Sequence, residues 1–171
     1  MNNNENRYYW ICSIELAPDS IVLPGNWYRV VRLAPNHPSA LLEEVYERIR
    51  STRFPQMPSR RNSVFVFLDK LIAIELQQQR PFDNLYEVQI ENVNANRNIF
   101  DMEIVNRQRA DGTFRSIIEL EEQAIRYWES VEKIKKTPEV LIEGPIRIIK
   151  KVCNGLMTLE FVGCCNTMEE Q

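Results

Sequence analysis

Apolar residues along the chain fall into short runs that turn residues separate. Aromatic and β-branched residues fill Arg7 to Ile14, which predicts a first strand. Ile21 to Leu23 predicts a second, short strand that Pro24-Gly25-Asn26 ends. Trp27 to Val31 is a further apolar run, and the two prolines within Leu33 to Pro38 predict a loop after it.

Three later segments have apolar residues at a spacing of three or four, which predicts amphipathic helices. The first runs from Ser39, placed to cap it, to about Arg50, and the second runs from the cap Asp69 to about Gln79. The third and longest opens on Ser116-Ile117-Ile118-Glu119, which matches a capping box. The apolar face of this third helix consists of Leu120, Ala124, Tyr127, Trp128, Val131 and Ile134.

The remaining apolar runs predict further strands, and Pro145 and Gly155 mark the turns between the last three. Strands and helices do not alternate strictly, and no G-x-G-x-x-G follows the first strand, which argues against a Rossmann fold. The expected fold is an α+β domain with a mostly antiparallel sheet flanked by helices. These strands are predicted over 62–68, 85–90, 99–105, 137–142, 146–152 and 157–162.

Length and composition fit one globular domain over residues 1–171, with a core of about residues 7–162 and flexible ends at 1–6 and 163–171. The formal net charge of -3 does not indicate nucleic-acid binding by the chain as a whole. The four cysteines include no C-x-x-C pair and the chain has one histidine, so we expect reduced thiols, no metal site and a cytoplasmic protein. Because the chain has no long apolar stretch and a polar start, neither a membrane span nor a signal peptide is expected.

Three segments carry aromatic or basic residues suited to binding a nucleotide. The aromatic residues of Arg7-Tyr8-Tyr9-Trp10 and Leu23-Pro24-Gly25-Asn26-Trp27 could stack on a nicotinamide or adenine ring, although they could equally pack in the core. Pro58-Ser59-Arg60-Arg61-Asn62-Ser63 leads into a buried strand, and its arginines could bind a pyrophosphate bidentately. The alternative for this segment is a solvated loop with a capping serine.

A carboxylate stands at the head of a later apolar strand, in Thr137-Pro138-Glu139-Val140-Leu141-Ile142. Glu139 could hold a ribose hydroxyl and stabilise an oxocarbenium-like transition state. It could also be an exposed charge at a sheet edge that discourages aggregation. The single histidine, His37, lies between Asn36 and Pro38 and is interpreted as an exposed loop residue rather than a member of a catalytic triad.

Taken in this order, the segments resemble the ADP-ribosyltransferase superfamily over roughly residues 7–152, and most of all its small bacterial rifampin-inactivating and toxin-like members. Tyr8-Tyr9-Trp10 and the later Pro24-Gly25 resemble the opening strand and the PG element of those proteins. Ser63-Val64-Phe65-Val66-Phe67 resembles the strand in which an aromatic residue packs on nicotinamide. Glu139-Val140-Leu141-Ile142 resembles the strand on which many members carry a catalytic glutamate.

The resemblance implies a split antiparallel sheet, NAD as a substrate and no metal. It implies Glu139 as the catalytic carboxylate, with Arg60 or Arg61 as its arginine partner and Arg60 preferred. Asp101 is the reserve carboxylate, because it too precedes an apolar strand. The NAD-binding residues that the resemblance implies are Tyr9, Trp10, Asn26, Ser59, Arg61, Ser63 and Phe65.

The function expected from this resemblance is NAD-dependent ADP-ribosyl transfer by a bacterial or phage toxin or defence enzyme. The expected acceptor is RNA, DNA or protein, with a small molecule as a further alternative, and an antitoxin is an expected partner. Trp10 and Phe65 depart from the histidine and tyrosine of one group of the family, so an inactive nucleotide-binding or protein-binding module of the same fold is the alternative. A third alternative is an interaction protein with no nucleotide site.

Positive charge is concentrated between residues 48 and 61 in a chain that is acidic overall. A basic rim beside an NAD site would suit a nucleic-acid acceptor. The alternative is that the first of these residues only complement the negative end of a helix dipole. The residues concerned are Arg48, Arg50, Arg53, Arg60 and Arg61.

Overall fold

The computed structural model describes residues 7–34, 36–106, 108–130 and 135–155. The helices among them are α1 (Asn26–Leu33), α2 (Ala40–Arg53), α3 (Lys70–Gln78) and α4 (Ile117–Glu129), with short 3₁₀ helices at Arg60–Asn62 and Met102–Ile104. The strands are β1 (Arg7–Cys12), β2 (Ile21–Val22), β3 (Val64–Phe67), β4 (Asn84–Ile90), β5 (Arg97–Asp101), β6 (Pro138–Ile142) and β7 (Ile146–Cys153).

The prediction of an α+β domain with an antiparallel sheet is confirmed. All seven strands belong to one sheet, in the order β2-β7-β4-β1-β3-β6-β5, and every pairing is antiparallel. The two side-chain caps that open the later helices are also confirmed. Asp69 accepts hydrogen bonds from two backbone N–H groups of α3, and Ser116 and Glu119 form the predicted capping box of α4.

The apolar run Trp27 to Val31, for which the sequence predicted no particular element, lies in α1, where only Val31 is buried. Two sequence predictions need correction. Ser39 precedes α2 but its side chain makes no capping hydrogen bond, because its backbone at φ -94° and ψ 0° is not extended as a capping residue is. The strand predicted over 99–105 ends at Asp101, whose side chain accepts a hydrogen bond from the N–H of Glu103 and starts a 3₁₀ helix. The strand predicted over 157–162, the two chain ends, and Val131 and Ile134 lie outside the described residues.

The sheet has a narrow join between β1 and β3. One register pair, Tyr9 opposite Phe67, connects these two strands. On its other side β1 pairs with β4 over six positions, from Arg7 opposite Gln89 to Cys12 opposite Asn84. The join therefore divides the sheet into a four-stranded part, β2-β7-β4-β1, and a three-stranded part, β3-β6-β5.

The two faces of the sheet bury different residues. On one face, α2 and α4 pack over Phe100 and Leu141 of the three-stranded part, and α3 packs over Phe67 and Leu85 at the join. The other face carries an apolar cluster contributed by strands of both parts, including Val66 and Val88. Side chains of the described helices belong only to the first face, which we call the helical face.

Successive register pairs align side chains in one row across the helical face. Glu139 of β6 lies opposite Phe67 of β3, and Phe67 lies opposite Tyr9 of β1. Tyr9 in turn lies opposite Glu87 of β4. Phe100 and Lys150 extend the row to β5 and β7. Because directly opposed residues in a sheet share a face, this row places two carboxylates and three aromatic rings on the helical face, with members on both sides of the join.

Gly25 lets α1 approach the 3₁₀ helix Arg60–Asn62. Its φ is +83°, and a Cβ there would lie 2.9 Å from the carbonyl oxygen of Arg61. Gly112 has the same φ of +83°, but a Cβ there would meet no atom within 4 Å. We expect Gly25→Ala to lower the free energy of unfolding by about 2–4 kcal/mol and Gly112→Ala by about 1–2 kcal/mol. Urea denaturation measures both, and equal losses in the two variants would contradict the close approach.

Candidate functional site

Four segments of the chain converge on the guanidinium of Arg60. Arg60 opens the short 3₁₀ helix between α2 and β3. α2 supplies Glu43, α4 supplies Tyr127 and β6 supplies Glu139. All four residues are buried, with Arg60 only 5% exposed and Glu139 3%. We call these four residues the Arg60 cluster.

Arg60 and Glu43 form a bidentate ion pair. Nε of Arg60 donates to Oε2 of Glu43 at 3.1 Å, and Nη2 donates to Oε1 at 3.0 Å. Two parallel N–H···O bonds fix the orientation of both groups as well as their separation. Oε1 of Glu43 also accepts a hydrogen bond from Nε1 of Trp27 at 2.8 Å, which ties α1 to the cluster.

The remaining contacts of Arg60 lead to Tyr127 and Glu139. Nη1 of Arg60 donates to the hydroxyl oxygen of Tyr127 at 2.8 Å and to Oε1 of Glu139 at 3.2 Å. The hydroxyl of Tyr127 donates to the same Oε1 at 2.8 Å. The structure thus brings the two residues predicted to be catalytic, Arg60 and Glu139, into direct contact across 79 positions of sequence.

Aromatic rings surround the guanidinium. Its Cζ lies 4.7 Å from the ring centroid of Phe65, 5.2 Å from that of Tyr127 and 5.7 Å from that of Tyr46. Rings at these distances attract a cation through their quadrupoles. Phe65, predicted to stack on nicotinamide, therefore already has a cation packed against its ring.

The Arg60 cluster contains two carboxylates for one guanidinium, so a negative charge is in excess if both acids are ionised. Burial raises the pKa of Glu139 above its usual value, although Arg60 and Tyr127 act to lower it. Burial acts to lower the pKa of Arg60, but Glu43, Tyr127 and Glu139 outweigh it and the pKa lies well above the usual value. The raised pKa of Glu139 means that its carboxylate takes up a proton at a higher pH than an exposed glutamate does.

The other side chains of the 58–63 segment that were predicted to bind NAD contact acids or the backbone of the chain. Nη2 of Arg61 lies 2.7 Å from Oε2 of Glu44. The hydroxyl of Ser59 donates to Oε2 of Glu47 at 2.9 Å, and the hydroxyl of Ser63 donates to the carbonyl oxygen of Ser59 at 2.7 Å. Arg61, Ser59 and Ser63 were predicted to bind NAD, and each is engaged by the protein itself.

Tyr9 and Trp10 lie on opposite faces of the sheet. Tyr9 packs on the helical face beside Phe67. Trp10 packs on the other face, with its ring centroid 6.2 Å from that of Tyr86. Successive residues of a strand point to opposite faces, so this pair does not line one side of a ligand together.

The remaining predicted residues are not members of the Arg60 cluster. Asn26 is the exposed first residue of α1. His37 is partly buried rather than exposed as predicted, and its ring packs edge-on against Trp27 with centroids 5.4 Å apart. The carboxylate of Asp101 accepts three backbone N–H bonds at 3.1 Å, which makes it a structural capping group.

Both alternatives that would have placed the charged residues in solvent are wrong. Glu139 is buried, and β6 lies between β3 and β5 rather than at a sheet edge. Arg60 is buried too, although Ser59 does cap the 3₁₀ helix as that alternative expected. Sequence reasoning missed Glu43 and Tyr127 as members of the site. A sequence signal existed for Glu43, which stands three residues before Tyr46 and so on the apolar face of α2.

Within the described residues, no group of three His, Cys, Asp or Glu side chains is placed to hold a metal ion. The same part of the chain contains no helix that is both long enough and apolar enough to cross a membrane.

Tyr127→Phe removes a hydroxyl that accepts from Arg60 and donates to Glu139, and it keeps the ring. We expect a loss of about 1–3 kcal/mol in the free energy of unfolding, measured in urea. The loss should grow as pH rises above the ordinary carboxylate range, because the ionised form of Glu139, whose pKa is already raised, loses a donor. Tyr28→Phe is the control, since the hydroxyl of Tyr28 donates to Glu44 at the surface, and we expect about 0.5 kcal/mol or less. Equal losses in the two variants would contradict the role of the buried hydroxyl.

A model of a known protein family matches most of the chain. No curated protein is similar enough to this chain to count as a relative. Residues 24–154, from the turn before α1 to the end of β7, match the family described as "Protein of unknown function (DUF2441)". The matched region contains every residue of the Arg60 cluster and five of the six strands of the cross-strand row, all but β1. Because the match covers most of the chain, the protein belongs to the DUF2441 family.

Proposed function

We propose that the protein is an NAD-dependent ADP-ribosyltransferase, a glycosyltransferase that uses NAD as its substrate. One observation carries the proposal: Arg60 contacts Glu139, and Glu139 belongs to the same cross-strand row as Tyr9 and Phe67 at the join of the sheet. The antiparallel sheet narrows between β1 and β3, which supports the split ADP-ribosyltransferase-like sheet that the sequence resemblance implies.

In the proposed reaction, Glu139 accepts a hydrogen bond from a hydroxyl of the nicotinamide ribose and stabilises the positive charge that develops as the bond to nicotinamide breaks. A nucleophile of the acceptor, or water when no acceptor is bound, then forms the new bond to the ribose carbon and gives up its proton. Arg60 and Tyr127 hold its carboxylate through Oε1, so the orientation of Glu139 is set before substrate binds. Tyr9 and Phe67 supply ring surface beside it in the row. We assign Phe67 this part in place of Phe65, because the ring of Phe65 packs on Arg60.

Ion pairs weaken the argument for a nucleic-acid acceptor. Arg48 pairs with Glu121, Arg50 with Glu47 and Arg61 with Glu44. Arg60 is buried in its own cluster, so most of the positive charge concentrated between residues 48 and 61 is balanced within the chain. RNA, DNA and protein stay open as acceptors, and a cytoplasmic toxin or defence role with an antitoxin partner stays a proposal.

A second candidate function is a binding module of the same fold that has lost NAD chemistry. The burial of the Arg60 cluster favours it. Every nitrogen of the Arg60 guanidinium already donates to an acid or hydroxyl of the chain. A buried, satisfied ion cluster is also what a purely structural network looks like. Turnover of NAD separates the two functions.

Release of nicotinamide from NAD by the purified protein tests the proposal. We expect wild type to release it, and Glu139→Gln to reduce the rate by about 100-fold or more, because the amide cannot stabilise a developing cation as a carboxylate does. Glu121→Gln is the matched control, since it changes a carboxylate paired with Arg48 at the surface, and we expect its rate within about twofold of wild type. Thermal unfolding confirms that each variant is folded. NAD binding without release would support a nucleotide-binding module. No binding at millimolar NAD would reject the transferase and leave a protein-binding module.

The pH dependence of nicotinamide release supplies an independent check. Glu139 acts as a carboxylate in the proposed reaction, and its pKa is raised above the usual 4.5 by burial. We therefore expect the rate to fall as pH falls, with a midpoint above 4.5. A rate that stays constant down to the usual glutamate pKa would contradict this role for Glu139.

A further inference from the structure

A second buried carboxylate lies in the four-stranded part of the sheet. Glu87 is in the middle of β4 and only 5% exposed. It lies directly opposite Tyr9 on β1 and Lys150 on β7, so it belongs to the cross-strand row that also contains Glu139. None of the contacts that hold the Arg60 cluster involves Glu87.

The carboxylate of Glu87 has two cations beside it but lacks a hydrogen bond at one oxygen. Nη1 of Arg7 lies 2.9 Å from Oε1, and Nζ of Lys150 lies 3.5 Å from Oε2. Arg7 is close enough to Oε1 for a hydrogen bond, but its N–H groups are not aligned with that oxygen. Oε1 therefore has no hydrogen-bond donor among the described residues. A buried carboxylate oxygen without a donor is costly, which indicates that a donor belongs there.

The neighbouring charges select the kind of donor. Arg7 and Lys150 already balance Glu87, so a further cation would be repelled. An ionised carboxylate or phosphate group has no proton to donate, so it would leave Oε1 without a donor. A neutral hydroxyl meets neither penalty. Tyr9 beside it keeps its phenol proton, because burial and Glu87 raise the pKa of Tyr9.

The spacing of the row relates this site to the candidate site. Glu87 and Glu139 are three strand steps apart, from β4 through β1 and β3 to β6. At about 4.8 Å for each step, their strands are roughly 14 Å apart along the sheet. Such a separation is too large for both carboxylates to act on one sugar. A dinucleotide, however, carries two riboses that its pyrophosphate holds apart.

We propose that Glu87 is the binding residue for the second ribose of NAD, the adenosine ribose, and accepts a hydrogen bond from its 2′-hydroxyl at Oε1. This inference rests on the proposed function for the identity of the nucleotide. A carboxylate that accepts from a ribose 2′-hydroxyl is a recurrent means of nucleotide recognition. Arg7 covers Oε1 in the free protein, and its side chain is 52% exposed, so it can move aside when the sugar enters.

The test combines a ligand change with a side-chain change. Calorimetric titration of the full chain with ADP and with 2′-deoxy-ADP measures the contribution of the 2′-hydroxyl. We expect 2′-deoxy-ADP to bind wild type about tenfold more weakly than ADP. In Glu87→Gln the difference should fall to about twofold or less, because the charged acceptor is lost. Glu91→Gln is the matched control, since Glu91 follows β4 and pairs with Arg147 at the surface, and the tenfold difference should persist.

Each outcome decides the inference separately from the transferase proposal. Equal binding of ADP and 2′-deoxy-ADP by wild type overturns it without any variant, and so does a failure of wild type to bind ADP. An unchanged tenfold difference in Glu87→Gln also overturns it, even if wild type releases nicotinamide from NAD. A difference that collapses only in Glu87→Gln establishes the ribose site, even if NAD is not turned over. If Glu87→Gln does not fold, Glu87→Asp takes its place, because its shorter side chain withdraws the carboxylate and should reduce the difference as well.

Discussion

The buried guanidinium of Arg60 is the interaction on which the arrangement of the candidate site depends. A charge with so little access to water persists only where the protein compensates it, and here the compensation comes from α2, α4 and β6 together. Trp27 adds α1 through Glu43. A cluster of this kind is not by itself evidence of high stability, because desolvation of the charges offsets much of their attraction. What it does provide is a unique relative position for four segments of the chain.

The same cluster explains why Glu139 differs from the other acids. One guanidinium faces two carboxylates, and Glu43 takes the bidentate contact. Glu139 receives its hydrogen bonds through Oε1 from Tyr127 and from the more distant Nη1, while burial raises its pKa. A carboxylate that is oriented but less than fully neutralised is suited to stabilising a developing cation. Glu87, on the other side of the join, is buried like Glu139. The cross-strand row connects the two acids, and their separation sets the length of the proposed NAD site.

Local patterns in the sequence predicted the elements well and the site in part. Asp69 and Ser116 cap their helices as predicted because a cap depends on residues within one turn. Glu139 and Arg60 were identified as candidates because each is a charged residue beside an apolar run, where charged residues are unusual. The sequence did not predict that Glu139 and Arg60 contact each other, or that other residues join the two proposed sites. These contacts depend on which strands and helices become neighbours, and a single sequence does not contain that information. The residues concerned are Glu43, Tyr127 and Glu87. Strand alternation alone predicts that Tyr9 and Trp10 point to opposite faces of the sheet. The resemblance to a family motif had instead grouped the two residues in one binding site.

The central claim is that one NAD molecule spans the β1–β3 join, with one carboxylate for each ribose. A crystal structure of the protein with a non-hydrolysable carba-NAD tests it most directly. The account predicts that a hydroxyl of the carbocycle that replaces the nicotinamide ribose lies within hydrogen-bond distance of Glu139. It also predicts that the 2′-hydroxyl of the adenosine ribose lies within hydrogen-bond distance of Glu87, with Arg7 displaced from Oε1 of Glu87. The analogue bound away from the helical face, or with neither sugar at a carboxylate of the row, would contradict the claim.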